Sequence, residues 1–137
     1  MYNVTRLPYN KYKAKSSVYN GISYHSKLEA NYAAELDLRV RAKDIKRWER
    51  QVKIEINFKY IKKQWILTDE VGLDLKNKLI QFRHFRNYFM DFVVYHNDGS
   101  IEYIECKGME TEVWKMKWHL TEMIFKDHPT INLTIVK

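Results

Sequence analysis

Asp91, Glu105 and Lys107 are the residues whose types and spacing could perform chemistry together. They lie in two β-branched and aromatic segments, and the Asn-Asp-Gly sequence that ends at Gly99 between them is typical of a β-hairpin turn. A three-residue turn, with Gly99 in the left-handed conformation, would put Asp91 directly opposite Glu105, with their Cβ atoms about 5 Å apart. A two-residue turn would instead pair Asp91 with Cys106. The glycine at the third turn position favours the first register, in which Lys107 shares the face of Glu105.

Two carboxylates that face each other on one sheet repel unless a positive charge lies between them. A hard divalent cation such as Mg²⁺ or Mn²⁺ meets that need, because it prefers oxygen ligands and keeps bound water. Lys107 could then orient or deprotonate a water, or stabilise the charge on a phosphate oxygen. This combination predicts phosphodiester hydrolysis. A surface hairpin with cross-strand salt bridges is the structural alternative, and the pattern alone leaves it open.

The first helix is predicted to begin at Ser26. The sequence Ser-Lys-Leu-Glu from Ser26 to Glu29 has the form of a capping box, the alanine-rich residues after it favour a helix, and the helix should end near Lys43 or Asp44. An apolar stripe at i+4 spacing is expected to be buried, namely Leu28, Tyr32, Leu36 and Val40. Helix capping by itself accounts for Glu29, so the spacing leaves a catalytic role for this residue open.

The later segments predict a sheet and a second helix. Residues 51–60 alternate apolar and polar side chains as a strand does, residues 61–86 can hold a turn around 69–74 and extended strands, and residues 131–135 form a final strand. Residues 111–126 predict a helix whose two apolar sides should both be covered. One side carries Trp114, Trp118, Thr121 and Phe125, and the other carries Met116, Leu120 and Met123. We therefore expect an α+β or α/β sandwich around one sheet, preceded by a basic arm at residues 1–24.

The charge of the chain is positive and uneven. The 137 residues carry a formal net charge of +7, and residues 1–63 hold 15 Lys/Arg and 6 Asp/Glu, whereas residues 64–137 hold 9 and 11. A basic surface attracts polyanions, so nucleic acid is the first partner to consider, and a protein with many exposed lysines is the alternative. The candidate phosphate contacts are Lys11, Lys13, Lys15 and Lys27, and a solvated terminal arm is an equal interpretation of the first three.

The composition also excludes several classes of protein. The single Cys106 excludes an internal disulfide framework and a zinc cluster built on cysteines. No apolar run approaches the roughly 20 residues that span a bilayer, and the first residues do not form a secretion signal, so we expect a cytoplasmic protein without a membrane partner. His96-Asn97 is also found in HNH nucleases, but His84, His119 and His128 lack the spacing of that metal site.

In order and context, these features resemble the PD-(D/E)XK nuclease superfamily. That superfamily has an acid on the first helix, an Asp on the second core strand and a (D/E)-x-K motif on the third, and the matching residues here are Glu29, Asp91 and Glu105-Cys106-Lys107. Met90 stands in place of the proline of the motif's name. The resemblance runs from residue 25 to residue 137 and implies a single domain with a restriction-endonuclease-like αβββαβ core, a central mixed sheet flanked by helices.

The resemblance also implies a metal site and auxiliary residues. The metal would be bound by Asp91, Glu105 and the backbone carbonyl of Cys106, with Glu29 contributing directly or through water, and Lys107 would assist the nucleophile. In small nucleases encoded by bacteriophages and related to Holliday-junction resolvases, a Gln at the start of the first core strand and a Lys on the helix after the motif recur. The auxiliary candidates are Gln51 and Lys117, with Lys115 as the second choice for the lysine.

The function that this resemblance implies is Mg²⁺- or Mn²⁺-dependent endonuclease action on DNA, branched junctions included, in phage recombination or DNA processing within a bacterial host cell. A homodimer is an expected form, because symmetric junctions need two paired cuts. Residues 61–86 would then be a substrate-binding or dimer-forming extension. The alternative function is a catalytically silent nucleic-acid-binding or assembly protein that keeps the nuclease-like fold.

Overall fold

The computed structural model describes residues 16–72 and 81–137. The chain divides into two compact units, Met1–Ile45 and Lys46–Lys137. Within the described ranges, neither helix is long and apolar enough to cross a membrane.

The first unit contains a β-hairpin where the sequence predicted an irregular basic arm. β1 (Ser17–Tyr19) pairs antiparallel with β2 (Ile22–Tyr24), and the turn residues Asn20 and Gly21 have φ angles of 50° and 75°. Two consecutive left-handed residues make the tight turn that matches the right-handed twist of the strands, and Asn-Gly adopts it readily. The prediction was therefore wrong for residues 17–24, and Asn20-Gly21 was the overlooked signal.

The first helix, α1 (Lys27–Arg41), begins where the capping box predicts. The Ser26 hydroxyl oxygen accepts a hydrogen bond from the Glu29 backbone N–H at 3.1 Å. Only Leu36 of the predicted stripe is buried, and the other three members are half-buried. The buried residues of α1 are Glu29, Ala30, Ala33 and Leu36. Burial thus follows the small alanines, beside which neighbouring groups can approach the helix backbone closely.

The second unit is built on one five-stranded mixed sheet. Its strands are β3 (Arg47–Ile61), β4 (Gln64–Thr68), β5 (Gln81–Tyr95), β6 (Ile101–Cys106) and β7 (Ile131–Val136), in the spatial order β4-β3-β5-β6-β7. Each neighbouring pair is antiparallel except β6 and β7, which are parallel and joined through the helix α2 (Glu112–Phe125). The predicted α+β fold around a central mixed sheet is confirmed.

The helix α2 covers one face of this sheet. Trp114, Trp118 and Phe125 pack in one buried cluster with side chains of β3 and β5, and the two indole rings stack with centroids 5.7 Å apart. Burying each large apolar side chain stabilises the fold by about 1.5–3 kcal/mol. The predicted burial of this side of α2 is confirmed. On the second side the prediction was wrong for Met116 and Met123, which are 37% and 59% exposed, whereas Leu120 is half-buried and packs against the same cluster.

The described part of residues 61–86 consists of extended strands, as predicted. Lys62 and Lys63 form the two-residue turn between β3 and β4, with φ angles of 52° and 67°. β3 and β5 are both 15 residues long and pair over almost their whole length, with one register shift at Ile56/Asn57. The predicted turn around 69–74 extends into residues 73–80, which lie outside the described ranges.

Candidate functional site

The turn between β5 and β6 has the three-residue form that aligns the two carboxylates. The His96 N–H donates to the Ser100 carbonyl at 2.9 Å, and Gly99 has a φ of 89°. The antiparallel pairing runs from Tyr95/Ile101 to Phe92/Ile104, and the same register carried one residue further puts Asp91 opposite Glu105. The predicted register is confirmed. Gly99 decides it, because a residue with a Cβ resists that φ angle.

The side chains of Asp91 and Glu105 are buried and held by neighbouring donors. They are 8% and 7% exposed. Asp91 Oδ2 accepts a hydrogen bond from the Cys106 backbone N–H at 2.8 Å, and Glu105 Oε2 accepts one from the Tyr88 hydroxyl at 3.0 Å. The Glu105 carboxyl also interacts with the carboxyl of Asp91. Each carboxyl group is thus oriented by a donor of the protein, as buried polar groups require.

The electrostatics of this pair favour a bound proton or a cation. Burial of Glu105, followed by the negative charge of Asp91, raises the pKa of the Glu105 carboxyl to about 8, against the opposing effects of Tyr88 and Lys107. Burial and the Glu105 charge raise the pKa of the Tyr88 phenol well above its usual value, so this hydroxyl remains a donor. Two buried carboxyls in contact are not both ionised without compensation, and a proton and a metal ion compete for such a pair.

A backbone irregularity lies at the centre of the site. Gln51 lies in β3 between Arg50 and Val52, whose partners Phe92 and Met90 flank Asp91, and it has a φ of 51°, which is strained for a residue with a side chain. Before this point in β5, Met90 packs in the core beneath α2. After it, Val93 lies opposite Tyr103, and because the Tyr103 ring stacks on an aromatic ring of α2, Val93 is also on the α2 side. The alternation of β5 therefore shifts by one residue, and the consecutive residues Met90 and Asp91 both turn to the α2 side.

The same irregularity brings Tyr88 to the site, which the sequence analysis missed. Strict alternation along β5 puts Tyr88 on the face opposite to Asp91 and Glu105. Because of the shift, the Tyr88 hydroxyl reaches Glu105. No signal in the sequence marked this residue, since the left-handed conformation falls on a glutamine. Gln51 itself was predicted as an auxiliary residue, and its Nε2 lies 3.5 Å from Asp91 Oδ1.

Lys107 is the third predicted residue that the structure brings to the pair. Its side chain is half-buried, its Nζ lies 5.7 Å from the centroid of the Trp114 ring, and its charge acts to lower the pKa of Glu105. Lys117 is half-buried on α2, and Lys115 Nζ pairs with Glu112 at 3.3 Å, so an auxiliary role for either lysine stays a prediction. The use of a backbone carbonyl as a metal ligand also stays a prediction.

The remaining predicted residues lie in the first unit. Glu29 is buried on α1, and the Ser26 hydroxyl donates to its Oε1 at 3.5 Å, so helix capping is part of its role and a contribution to a metal stays a prediction. Lys27 is exposed as the first residue of α1. The basic residues Lys11, Lys13 and Lys15 lie outside the described ranges.

Two of the histidines in the described ranges, His84 and His96, each have a separate structural partner. His96 Nε2 pairs with Glu102 Oε1 at 2.9 Å, and His84 Nδ1 lies 2.7 Å from Asn57 Oδ1. Among residues 16–72 and 81–137, no group of three or more His, Cys, Asp or Glu side chains is arranged to hold a metal. A cation at Asp91 and Glu105 would therefore also use backbone oxygens or water. Mg²⁺ accepts such ligands readily, so the donor set fits it.

The comparisons with known proteins identify a family. No curated protein and no solved structure matches the chain. A family model described as "Protein of unknown function (DUF1064)" matches residues 9–137, a range that includes the two helices and seven strands of the described residues and the site at Asp91, Glu105 and Lys107. The chain belongs to the DUF1064 family.

Proposed function

We propose that this protein is a divalent-metal-dependent nuclease that hydrolyses phosphodiester bonds in DNA. The observation that carries the proposal is the buried, directly opposed pair of Asp91 and Glu105 with Lys107 beside it. An ordinary surface hairpin would leave such carboxylates in water, where each ionises freely. Here the burial of the two carboxylates and their mutual repulsion favour the binding of a cation between them.

The residues of this chain have distinct roles in the proposed reaction. Asp91 and Glu105 would hold the cation together with the carbonyl of Cys106. When bound, a divalent cation lowers the pKa of a coordinated water and neutralises charge on phosphate oxygens. The Cys106 N–H and the Tyr88 hydroxyl keep the carboxylates oriented, as partners of metal ligands do. Lys107 would position the water or stabilise a phosphate oxygen.

The charge of the chain supports DNA as the substrate. The net charge of +7 favours a polyanion, and a hard cation with an ammonium group suits a phosphate diester. DNA that is branched or partly unpaired is the narrower proposal, and the test has to include it.

The test is a cleavage assay with the purified full chain. Supercoiled, linear, flapped and four-way DNA are incubated with Mg²⁺, with Mn²⁺ and with EDTA. Asp91→Ala and Lys107→Ala should each lower the cleavage rate by about a hundredfold or more while DNA binding survives. Asp127→Asn and Lys126→Ala are the matched controls, because they change exposed residues of the same types and should cut at the wild-type rate.

Two results would overturn the proposal. If the wild type binds DNA but cuts none of the four substrates with either metal, the catalytically silent binding protein replaces the nuclease. If cleavage occurs and survives Asp91→Ala, the activity belongs to another site or to a contaminant. Circular dichroism of each variant establishes that the protein is folded, so a lost activity is not a lost structure.

A further inference from the structure

The outer halves of β3, β4 and β5 carry an exposed cluster of aromatic and arginine side chains. We call it the aromatic–arginine platform, and its members are Phe58, Tyr60, Trp65, Arg83, Phe85 and Arg86. Trp65 and Phe85 are 42% and 44% exposed, and both arginines are exposed. Large aromatic rings at this level of exposure on β4 and β5, the two strands that flank β3, are a feature that folding does not require.

The rings and guanidinium groups of the platform contact one another. Tyr60 and Trp65 have ring centroids 5.1 Å apart, and the Arg83 guanidinium lies 5.1 Å from the centroid of the Trp65 ring. The second group is similar. The ring centroids of Phe85 and Phe58 lie 6.1 Å apart with the rings edge to face, and the Arg86 guanidinium lies 5.6 Å from the centroid of the Phe85 ring. Each exposed ring is thus accompanied by a cation, which is the pairing that stacks on nucleobases and neutralises phosphates.

The platform lies on the sheet face that carries the proposed active site. Ile54 and Ile56 of β3 pack beneath α2, and Phe58 and Tyr60 continue the same alternation on that strand. Arg83, which lies opposite Phe58, precedes Tyr88 by five positions along β5, and Phe85 precedes it by three. At roughly 3.3 Å per strand residue, these two residues lie about 17 Å and about 10 Å along β5 from Tyr88, whose hydroxyl donates to Glu105.

All the formally charged side chains in the strand segments that carry the platform are positive. Residues 58–66 and 81–87 contain five Lys/Arg and no Asp/Glu. Of these cations, Lys59 pairs with Glu70 at 2.8 Å. A surface of this sign attracts a polyanion. It also disfavours a symmetric contact between two copies of the chain, because a twofold axis would bring the same cations together.

We propose that the aromatic–arginine platform binds single-stranded DNA, with unpaired bases stacking on Trp65 and Phe85 and with Arg83 and Arg86 contacting the backbone. This inference rests on the proposed nuclease function, for which it names the substrate as DNA that has an unpaired strand beside the cut. In a duplex the base faces already stack on each other, so aromatic rings gain little from it. The stacked bases would then lie a few nucleotides along the unpaired strand from the scissile phosphate.

Binding without cleavage tests the platform separately from the active site. Fluorescence anisotropy in EDTA measures the affinity of the full chain for a labelled single strand, a blunt duplex and a flapped duplex. The double variant W65A/F85A should bind the single strand and the flap about ten- to a hundredfold more weakly, and the blunt duplex within threefold of wild type. The matched control is Phe89→Ala, because Phe89 is 51% exposed on β5 but lies on the opposite face from Tyr88.

Two further variants test the proposal in case W65A/F85A does not fold. W65F keeps an aromatic ring at position 65, so a protein with W65F in place of W65A should regain most of the affinity for single-stranded DNA. R83Q/R86Q changes only exposed side chains and should weaken single-strand binding severalfold and flatten its salt dependence.

The outcomes separate this proposal from the nuclease proposal. Loss of single-strand affinity in W65A/F85A, with Phe89→Ala unchanged, supports the platform even when no cleavage is found. Equal losses for single strand and duplex, or wild-type affinity in both platform variants, overturn it. Analytical ultracentrifugation adds one further refutation: a wild-type dimer that W65A/F85A converts to a monomer would make this surface a self-association interface.

Discussion

Replacing Glu105 by glutamine should stabilise the metal-free protein at neutral and alkaline pH. The folded protein raises the pKa of this carboxyl from 4.5 to about 8, because it is buried beside Asp91. A carboxyl whose pKa is higher in the folded state binds protons more tightly there, so the fold is most stable below about pH 4.5 and loses stability as the pH rises towards 8. Glutamine keeps the shape and hydrogen-bonding capacity of the protonated acid and carries no charge at any pH.

The size of the effect follows from the two pKa values. Between them the free energy of unfolding should fall by about 1.4 kcal/mol per pH unit relative to the variant. From pH 5 to pH 7 the loss comes to roughly 2–3 kcal/mol, because the titration is incomplete near its lower end. That is a large share of the roughly 5–15 kcal/mol that stabilises an ordinary domain.

Urea unfolding at several pH values in EDTA measures this difference. The free energy of unfolding of E105Q minus that of wild type should be near its minimum at about pH 5 and rise steadily to pH 8. Glu112→Gln is the matched control, since the Glu112 side chain is 92% exposed and its difference curve should be flat. Adding Mg²⁺ should stabilise the wild type at pH 8 and leave E105Q almost unchanged. A flat difference curve for E105Q would refute the argument that burial and Asp91 hold a proton on this carboxyl.

Three further substitutions test the structure around the site. Tyr88→Phe removes a hydrogen bond that lowers the pKa of Glu105, so the pH range in which the metal-free protein loses stability should extend upward in the same urea series. Gly99→Ala should cost about 1 kcal/mol or more in thermal unfolding, because φ at this position is 89° and alanine does not adopt it readily. The double variant K62N/K63G should raise the thermal midpoint by a few degrees, since Asn-Gly adopts the two positive φ angles that the lysines hold under strain.

The elements that could be predicted from the sequence are those that local rules determine. The register of the β5–β6 hairpin depends on one glycine in a short turn, and Gly99 takes the conformation on which the prediction rested. The first helix begins at its capping residue, Ser26, for the same local reason. The β1–β2 hairpin obeys an equally local rule, and its Asn20-Gly21 signal was overlooked within a basic segment.

Burial was harder to predict because it depends on which neighbours a side chain has. Met116 and Met123 extend an apolar pattern around α2, yet both are exposed, whereas Leu120 of the same predicted side packs against the core cluster. On α1 the buried line runs through Ala30 and Ala33 rather than through the larger residues of the stripe. An apolar period shows that a helix is amphipathic, whereas the position and width of the covered strip are set by tertiary contacts.

The site itself depends on a departure from the rule that located it. Alternation along the hairpin correctly brought Asp91 opposite Glu105, but the same alternation would put Tyr88 on the other side of the sheet. The irregularity at Gln51 turns two consecutive residues of β5 to the α2 side and lets the Tyr88 hydroxyl reach the pair. Without that donor the pKa of Glu105 would be higher still, and the carboxyl would give up its proton to a cation less readily. The strained glutamine is therefore a structural cause of the proposed metal affinity, in keeping with the tendency of backbone strain to persist at functional sites.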